Sequence, residues 1–426
     1  MMKIAIIGSG STYTPELIEG IINNYSSLNA ADIFLMDIDE NKLRIVGEFA
    51  KRMIKTANLP CKVTMTTDLD EAVTSSDFVL AQIRVGRLPA RILDEKIPLK
   101  YSLLGQETTG IGGFFKALRT VPVILDIAKR MEVLCPNAWL INFSNPSGIL
   151  TDMVLNHTKI KCIGLCNVPI NMMIDIKEKM NLPDATIGYL GLNHLSYITS
   201  IQHEGKEYIQ DALQQGITGV EMNNITKSYF DYDVVKMVGA IPCSYLQYFY
   251  FRNSKVEKLL KEDKTRGEVC AEIEKELLHD YENEELTQKP EILNHRGGHR
   301  YSLAAINLIC AIHNDKNEIH VVNVKNNGII PFMEDDDVIE IPAIINKDGA
   351  TPCRVENFDN IHIKNMMRTV KAYEKLTIEA ALTGNDMIAL NALMLNPLLG
   401  DFQATKACYF ELKEAHKKYL PTSYKD

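Results

Sequence analysis

The chain has 426 residues, of which 46% are hydrophobic and 24% charged, as in ordinary soluble globular proteins of one large domain or two. Its net charge of −9 argues against nucleic acid and anionic membrane surfaces as partners, and no apolar run reaches the roughly 18 residues of a membrane span. Nine cysteines without a CxxC pair predict reduced thiols, and the absence of a signal-peptide pattern predicts a cytoplasmic protein.

Short apolar runs alternate with helical patterns through the first part of the chain. The helical patterns include residues 40–55 and a short segment at 70–77. Continuous apolar strands that alternate with helices indicate a doubly wound parallel sheet. The six predicted strands are residues 3–7, 31–39, 62–68, 77–83, 138–146 and 160–166.

The second half of the chain mixes strand and helix patterns. Residues 203–210 and 317–331 are predicted as strands, residues 256–280 as one charged helix with a solvated face, and the segment 365–399 as two helices. The fold class is therefore α/β. We expect a Rossmann-like domain at 1–168 and a mixed α/β domain at 169–426, with a site between them.

Polar residues follow the predicted strands at the points where the strands end. The carboxyl ends of parallel strands meet at one edge of the sheet, which is where open α/β sheets bind ligands. The residues at this edge are Gly8, Gly10, Asp37, Gln82, Arg84, Asn142, Ser144, Asn145, Cys166 and Asn167.

The first strand leads into a glycine turn, Gly8-Ser9-Gly10-Ser11, and then into a helix. Backbone N–H groups of such a turn can hold a pyrophosphate. The fingerprint is incomplete, because Tyr13 stands where a third glycine is expected. Asp37 could bind the ribose of NAD and repel a 2′-phosphate, with Asp39 as a competitor or a helix N-cap. The alternative is a purely structural turn.

A thiol and an imidazole stand 28 positions apart, at Cys166 and His194. Asn193 directly precedes His194. The thiol and the imidazole are both good ligands for a divalent transition metal, although other ligands would have to come from substrate and water. From spacing alone, a packed cysteine and a satisfied core histidine are the more common outcome.

Two arginine clusters could bind a small phosphorylated ligand. Arg84, Arg87 and Arg91 lie within eight positions, and Arg296 and Arg300 flank a pair of glycines. Guanidinium groups bind phosphate dianions in bidentate fashion. For some of these arginines, a solvated helix face is the alternative.

Six segments together resemble glycoside hydrolase family 4, the NAD- and metal-dependent phosphoglycosidases, and the resemblance runs over nearly the whole length. It implies a lactate/malate-dehydrogenase-like fold. It also implies hydrolysis by C3 oxidation, C2 deprotonation, elimination of the aglycone, water addition and re-reduction. The segments are residues 4–17, 90–110, 142–149, 164–170, 191–194 and 241–250.

The resemblance also implies roles for individual residues. Cys166 and His194 would bind a Mn²⁺-type ion, and Tyr245 would be the catalytic base, unless it belongs to a packed aromatic stripe with its neighbouring tyrosines. Asn167 corresponds to the branch acting on 6-phospho-β-glucosides, where the α-glucosidase branch has Asp and the α-galactosidase branch has His. The substrate-binding residues implied are Arg91, Glu107, Asn145, Asn167, Asn193 and Arg296.

The expected partner is a phosphorylated disaccharide or an aryl glucoside 6-phosphate, with NAD and Mn²⁺ as cofactors and a homodimer or homotetramer as the assembly. Within the family, 6-phospho-α-glucosidase and α-galactosidase or galacturonidase activities are the alternatives. Outside it, a simple NAD-dependent 2-hydroxy acid dehydrogenase would need no metal, and a sensor of NAD or sugar phosphate would turn nothing over.

Overall fold

The computed structural model describes residues 2–28, 30–217, 219, 230–296, 301–355 and 359–424. Thirteen strands of this part of the chain form one mixed sheet. They are β1 (Met2–Ile7), β2 (Ala30–Met36), β3 (Lys62–Thr66), β4 (Phe78–Ala81), β5 (Trp139–Asn142), β6 (Lys161–Gly164), β7 (Thr186–Leu192), β8 (Leu195–His203), β9 (Lys206–Glu207), β10 (Ile241–Pro242), β11 (Glu318–Lys325), β12 (Val338–Asn346) and β13 (Gly349–Pro352).

Helices cover both faces of the sheet and build the walls above its edge. They are α1 (Thr14–Asn23), α2 (Tyr25–Leu28), α3 (Glu40–Thr56), α4 (Leu69–Val73), α5 (Arg87–Leu99), α6 (Gly110–Leu134), α7 (Ser147–His157), α8 (Asn167–Met180), α9 (Ile209–Gln214), α10 (Tyr232–Val238), α11 (Gln247–Tyr250), α12 (Arg252–Leu259), α13 (Arg266–Glu282), α14 (Leu293–Arg296), α15 (Tyr301–His313), α16 (Ile361–Thr383), α17 (Asp386–Leu395) and α18 (Phe402–His416).

The first six strands are parallel and lie in the order β3-β2-β1-β4-β5-β6. This order confirms the predicted doubly wound sheet. The chain leaves β1 toward one edge and returns to the other side of β1 as β4, so a crevice opens at that switch point. All four residues of β4 are buried, as expected of a strand whose two faces are both covered by helices.

The sheet continues without a break into the second half of the chain. β11 joins β6 in antiparallel fashion, with Asn323 opposite Gly164, and β12 and β7 follow on its far side. The domain boundary expected after residue 168 falls in the first turn of α8. The division into 1–168 and 169–426 therefore stays a prediction.

Two predictions for the second half were wrong in detail. The charged helix predicted at 256–280 is two helices, because Thr265 and Glu268 form a capping box that begins α13 anew. α13 packs on α3 and α5 and buries Cys270 and Leu277, so its inner face is not solvated. In 203–210 only His203, the last residue of β8, and Lys206–Glu207 are in strands. The two tail helices are confirmed as α16 and α17.

A buried charge cluster fixes α18 against α5 and α6. Arg119 donates to both carboxylate oxygens of Asp94, at 2.9 and 2.7 Å, and His416 Nε2 lies 2.8 Å from Asp94 Oδ1. The three side chains are at most 2% exposed. Arg119 Nε also donates to the Val85 carbonyl at 3.4 Å, which ties this cluster to the loop after β4. No helix in the described part of the chain is long and apolar enough to cross a membrane.

We expect Asp94→Ala to lower the free energy of unfolding by about 3–5 kcal/mol, because it leaves the Arg119 guanidinium buried without its counterion. Glu48→Ala, which removes the partner of Lys51 in an exposed pair on α3, is the control and should cost less than about 1 kcal/mol. Urea denaturation of both variants measures the difference, and equal losses would contradict a structural role for the buried pair.

Candidate functional site

A cleft of about 1040 Å³ runs along the carboxyl edge of the parallel strands. It begins at the turn after β1 and ends where β6 meets the β7–β8 turn. Twelve of the fourteen predicted site residues line it, and Ser9 and Asn193 do not. The twelve are Gly8, Gly10, Ser11, Asp37, Arg91, Glu107, Asn145, Cys166, Asn167, His194, Tyr245 and Arg296.

The outer end of the cleft is the glycine turn. Gly8 has φ +87°, and a Cβ there would lie 2.9 Å from the Gln82 carbonyl oxygen of β4's end. The Gly10 N–H donates to Asp37 Oδ2 at 2.8 Å, and a Cβ at Gly10 would lie 2.8 Å from that oxygen. The Gly8 position therefore requires glycine, and a side chain at Gly10 would displace the Asp37 carboxylate. The Ser9 side chain is fully buried beneath the turn.

Two aspartates follow β2, and they have different local roles. Asp39 is the N-cap of α3, accepting from the Lys42 N–H at 3.1 Å, and it pairs with Arg87 at 2.6 Å. Asp37 faces the cleft and is held by the N–H groups of Gly10 and Asp39. Asp37 is thus the carboxylate available to a ligand at this end.

At the inner end, Cys166 and His194 face each other. Cys166 ends the β6 segment and is the N-cap of α8, and His194, with φ +66°, lies in the two-residue turn between β7 and β8. Cys166 Sγ lies 3.6 Å from His194 Nε2. Donors at this separation can both reach one ion at about 2.0–2.3 Å. The pair therefore fits a metal ion.

Burial governs the protonation of this pair. It raises the pKa of the Cys166 thiol. For His194, burial and then the charge of Lys116 lower the pKa to about 3, so the imidazole is neutral, as a metal ligand must be. The Tyr245 ring stacks on His194, with ring centroids 3.9 Å apart and planes 22° apart.

Glu340, a fully buried carboxylate on β12, supports both candidate ligands from behind. Its Oε1 accepts from the side-chain amides of Asn193 at 3.2 Å and Asn323 at 3.3 Å, and its Oε2 accepts from the Tyr189 hydroxyl at 2.8 Å. Burial raises the pKa of Glu340 to about 7, although these three hydrogen bonds lower it.

The two amides extend these hydrogen bonds toward Cys166 and His194. Asn193 Oδ1 accepts from the Ser147 N–H at 3.1 Å, which fixes the turn that carries His194 on the N-terminus of α7. Asn323 Nδ2 donates to the Gly164 carbonyl at 3.3 Å, two residues before Cys166. Asn193, predicted as a substrate ligand, has its amide engaged within the protein.

Between the outer and inner ends of the cleft, Glu107 forms ion pairs with three cationic side chains. It pairs with Arg84, with Arg91 at 3.0 Å and with Lys116 at 3.0 Å, and Arg91 also pairs with Glu95 at 2.7 Å. Burial opposes ionisation of Glu107, but the three positive charges outweigh it and hold its pKa well below the usual value.

A second group of guanidinium groups lies where α13 begins. Arg296 pairs with Glu274 at 3.1 Å and lies over the Tyr13 ring, 5.1 Å from its centroid. Arg266 donates to the carbonyls of His295 and Arg296, at 2.8 and 3.2 Å. The Nε atoms of Arg266 and Arg296 are buried without a hydrogen-bond partner in the described structure. Arg300 lies outside the described residues.

Lys116 and Arg266 are charged cleft residues that were not among the predicted site residues. Lys116 is a lone charge in the apolar segment Gly110–Leu118 of α6, and that isolation was a usable signal. Arg266 had no such signal, because it stands among many charged residues in what looked like one solvated helix.

The model of the family 4 glycosyl hydrolases matches residues 3–182, and the model of that family's C-terminal domain matches residues 189–399. The chain belongs to family 4 of the glycosyl hydrolases. Malate dehydrogenase from Plasmodium falciparum, at 14% identity and TM-score 0.52, covers 91% of the chain and shares its fold, as the lactate/malate-dehydrogenase-like prediction expected.

Individual members of family 4 are similar over the whole chain. A probable 6-phospho-beta-glucosidase of Bacillus subtilis (strain 168) is 41% identical and a 6-phospho-beta-glucosidase of Escherichia coli (strain K12) 40% identical, each covering 99% of this chain, which spans 97% and 96% of theirs. The solved 6-phospho-beta glucosidase of Thermotoga maritima with manganese, NAD⁺ and glucose-6-phosphate is 36% identical, with TM-score 0.89 over 99% of both chains.

We expect Glu340→Leu to lower the free energy of unfolding by roughly 2–5 kcal/mol, because the amides of Asn193 and Asn323 and the Tyr189 hydroxyl lose a buried acceptor. Glu340→Gln keeps an acceptor oxygen and should cost clearly less. Urea denaturation of the two variants measures the contrast. A Leu variant as stable as the wild type would show that Glu340 does not hold this network.

Proposed function

We propose that this protein is an NAD- and Mn²⁺-dependent hydrolase of 6-phospho-β-glucosides. The observation that carries the proposal is the Cys166–His194 pair, stacked beside Tyr245, at the inner end of a cleft that starts at a dinucleotide-binding turn. The relatives named 6-phospho-beta-glucosidases, one of them solved with manganese, NAD⁺ and glucose-6-phosphate, support the same activity.

NAD would lie along the outer half of the cleft. The backbone of Gly8-Ser9-Gly10-Ser11 and the N-terminus of α1 would hold its pyrophosphate, because N–H groups and the helix dipole favour anions there. Asp37 would accept hydrogen bonds from the ribose hydroxyls, and its charge disfavours the 2′-phosphate of NADP. The adenine would lie beyond Asp37, where Ile38, Thr67 and Leu69 line the cleft.

Cys166 and His194 would hold the metal ion. Two protein ligands leave positions for oxygens of the sugar and for water, as an open catalytic site requires. A thiolate and an imidazole suit several divalent metals, so the choice of manganese rests on the ligand of the Thermotoga maritima relative. Asn167, the residue after Cys166, supports the β-glucoside branch.

The sugar phosphate would bind to guanidinium groups at the start of α13. Arg91 and Arg296 are the predicted ligands, with Asn145 beside them in the cleft, and we add Arg266. The unpartnered Nε atoms of Arg266 and Arg296 support this, since a phosphate dianion would give both a buried acceptor. Glu107 would accept from sugar hydroxyls while its three cations keep it ionised.

When bound, NAD⁺ supplies reversible oxidation at sugar C3, and the metal supplies polarisation of the resulting carbonyl. Tyr245 would take the proton from C2 with its phenol oxygen, which lets the aglycone leave from C1. Burial, together with the charges of Cys166 and Glu107, raises the pKa of Tyr245 well above the usual value of a phenol. A cation bound at the adjacent His194 would act in the opposite direction and make the phenolate accessible.

We also propose a cytoplasmic location and a homo-oligomeric assembly. Nine free cysteines support a reducing compartment, which we take to be the cytoplasm. A homodimer or homotetramer would cover apolar side chains that α17 and α18 expose to solvent. These side chains are Met387, Met394, Leu395, Phe402 and Phe410.

We expect hydrolysis of p-nitrophenyl β-glucoside 6-phosphate to require both NAD⁺ and Mn²⁺, without accumulation of NADH, because the hydride taken from C3 returns to it. Release of nitrophenol and absorbance of NADH, with each cofactor omitted in turn, measure this. Activity on the α-anomer alone would move the protein to the α-glucosidase branch, and steady NADH production would point to a dehydrogenase. Binding of both ligands without turnover would indicate a sensor.

We expect Arg266→Met to lower kcat/KM for the 6-phosphate substrate by about 10–100-fold, since it removes a charge-assisted contact to the phosphate. The lower activity that we expect on unphosphorylated p-nitrophenyl β-glucoside should not change. Arg52→Met is the matched control, because Arg52 also donates to backbone carbonyls, of Tyr281 and Leu286, but lies outside the cleft. A loss of equal size on both substrates would remove Arg266 from the phosphate site.

A further inference from the structure

The proposed function leaves one step without a protein group, the protonation of the leaving oxygen. Resting on that function, we propose that the Lys116 ammonium is the acid that protonates the glycosidic oxygen as the aglycone departs. The position of Lys116 is the first support for this role. Lys116 lines the cleft although it is only 4% exposed, and its Nζ lies 3.0 Å from Glu107 Oε2. Its charge acts on His194 at the metal-binding end.

The charge balance around Glu107 lets Lys116 release a proton at low cost. Glu107 is paired with Arg84 and Arg91 as well as with Lys116, so its carboxylate stays compensated when the ammonium becomes an amine. The guanidinium groups cannot take this role, because they do not deprotonate in proteins. Burial, and then the charge of Arg84, lowers the pKa of Lys116 to about 7, which suits an acid that works near neutral pH.

The loop residues Glu107 and Thr108 connect Lys116 to the proposed base, Tyr245. Glu107 is paired with Lys116, and its charge raises the pKa of Tyr245, whereas Thr108, the next residue in the chain, lowers it. The loop residues Glu107 and Thr108 thus act on both the proposed base and the proposed acid, which line the same cleft. In a β-glucoside, the C2 hydrogen and the C1 oxygen lie on the same side of the ring, so an adjacent base and acid can serve both. In an α-glucoside they lie on opposite sides.

The step balances in both directions. As the C1–O bond breaks, its electron pair goes to the aglycone oxygen, which takes a proton from Lys116 Nζ. Before this, the C2 proton goes to the Tyr245 oxygen and the C2–H pair becomes the C2–C3 double bond of an enolate. As the aglycone leaves, that pair shifts to form the C1–C2 double bond and the C3 carbonyl is restored. When water adds to C1, the neutral Lys116 amine takes a proton from the water, and Tyr245 returns its proton to C2.

Two leaving groups separate acid catalysis from a structural role. Nitrophenolate can depart without a proton, whereas the methoxy group must be protonated to leave. Lys116→Met should therefore slow hydrolysis of methyl β-glucoside 6-phosphate by about 100–10,000-fold and hydrolysis of the p-nitrophenyl substrate far less. Lys116→Arg keeps a cation beside Glu107 but cannot release its proton, and should show the same contrast. With the methyl substrate in D₂O, the substrate recovered from both variants should carry deuterium at C2, because oxidation and deprotonation still occur.

Equal losses on the two substrates, recovery of the methyl reaction in Lys116→Arg, or absence of deuterium at C2 would each overturn the assignment to Lys116. A wild-type protein that hydrolyses neither substrate and exchanges no C2 hydrogen would instead overturn the proposed function, and this proposal with it. The two failures are therefore distinguishable in one set of assays.

Discussion

The site depends on the hydrogen bonds that the buried Glu340 carboxylate makes where the parallel and antiparallel parts of the sheet meet. Through Asn323 it holds the end of β6, which leads to Cys166, and through Asn193 it holds the turn that carries His194. Cys166 and His194 come from opposite sides of that junction. Both β6 and the β7–β8 turn are tied to this one buried acceptor. The sheet itself therefore sets the distance between them, and flexible side chains do not. Residues around a metal site commonly orient its ligands in this way.

The cleft concentrates positive charge within an acidic protein. Arg84, Arg91 and Lys116 surround Glu107, and Arg266 and Arg296 lie at the start of α13, although the net charge of the chain is −9. Walls of low dielectric keep these charges effective at short range, while the acidic surface disfavours polyanions. A small dianion is therefore the ligand that this distribution favours. In the absence of such a ligand, the negative charge of Glu107 offsets the repulsion among Arg84, Arg91 and Lys116.

The sequence predicted the parallel sheet and the location of Cys166 because continuous apolar runs mark buried strands, and strand ends mark one edge. The partner His194 came from family resemblance, since nothing in a spacing of 28 residues brings two side chains together. Glu340 was missed because a buried acid looks like a surface acid until its three partners, 147, 17 and 151 positions away, are known. The break before α13 had a local signal in the Thr265 capping box, but the surrounding run of charges suggested one continuous helix.

A dehydrogenase sheet becomes useful for hydrolysis through what the second half of the chain adds to its edge. The parallel half alone offers a crevice for a dinucleotide and a place for hydride transfer. The antiparallel half brings His194 and Tyr245 to the end of β6, and α6 brings Lys116 from the other wall. Oxidation at C3 weakens the C2–H bond only while the ketone persists, so base, acid and metal must act at one bound sugar before the hydride returns. A shared cleft between the two halves satisfies that timing, because neither intermediate nor cofactor has to leave.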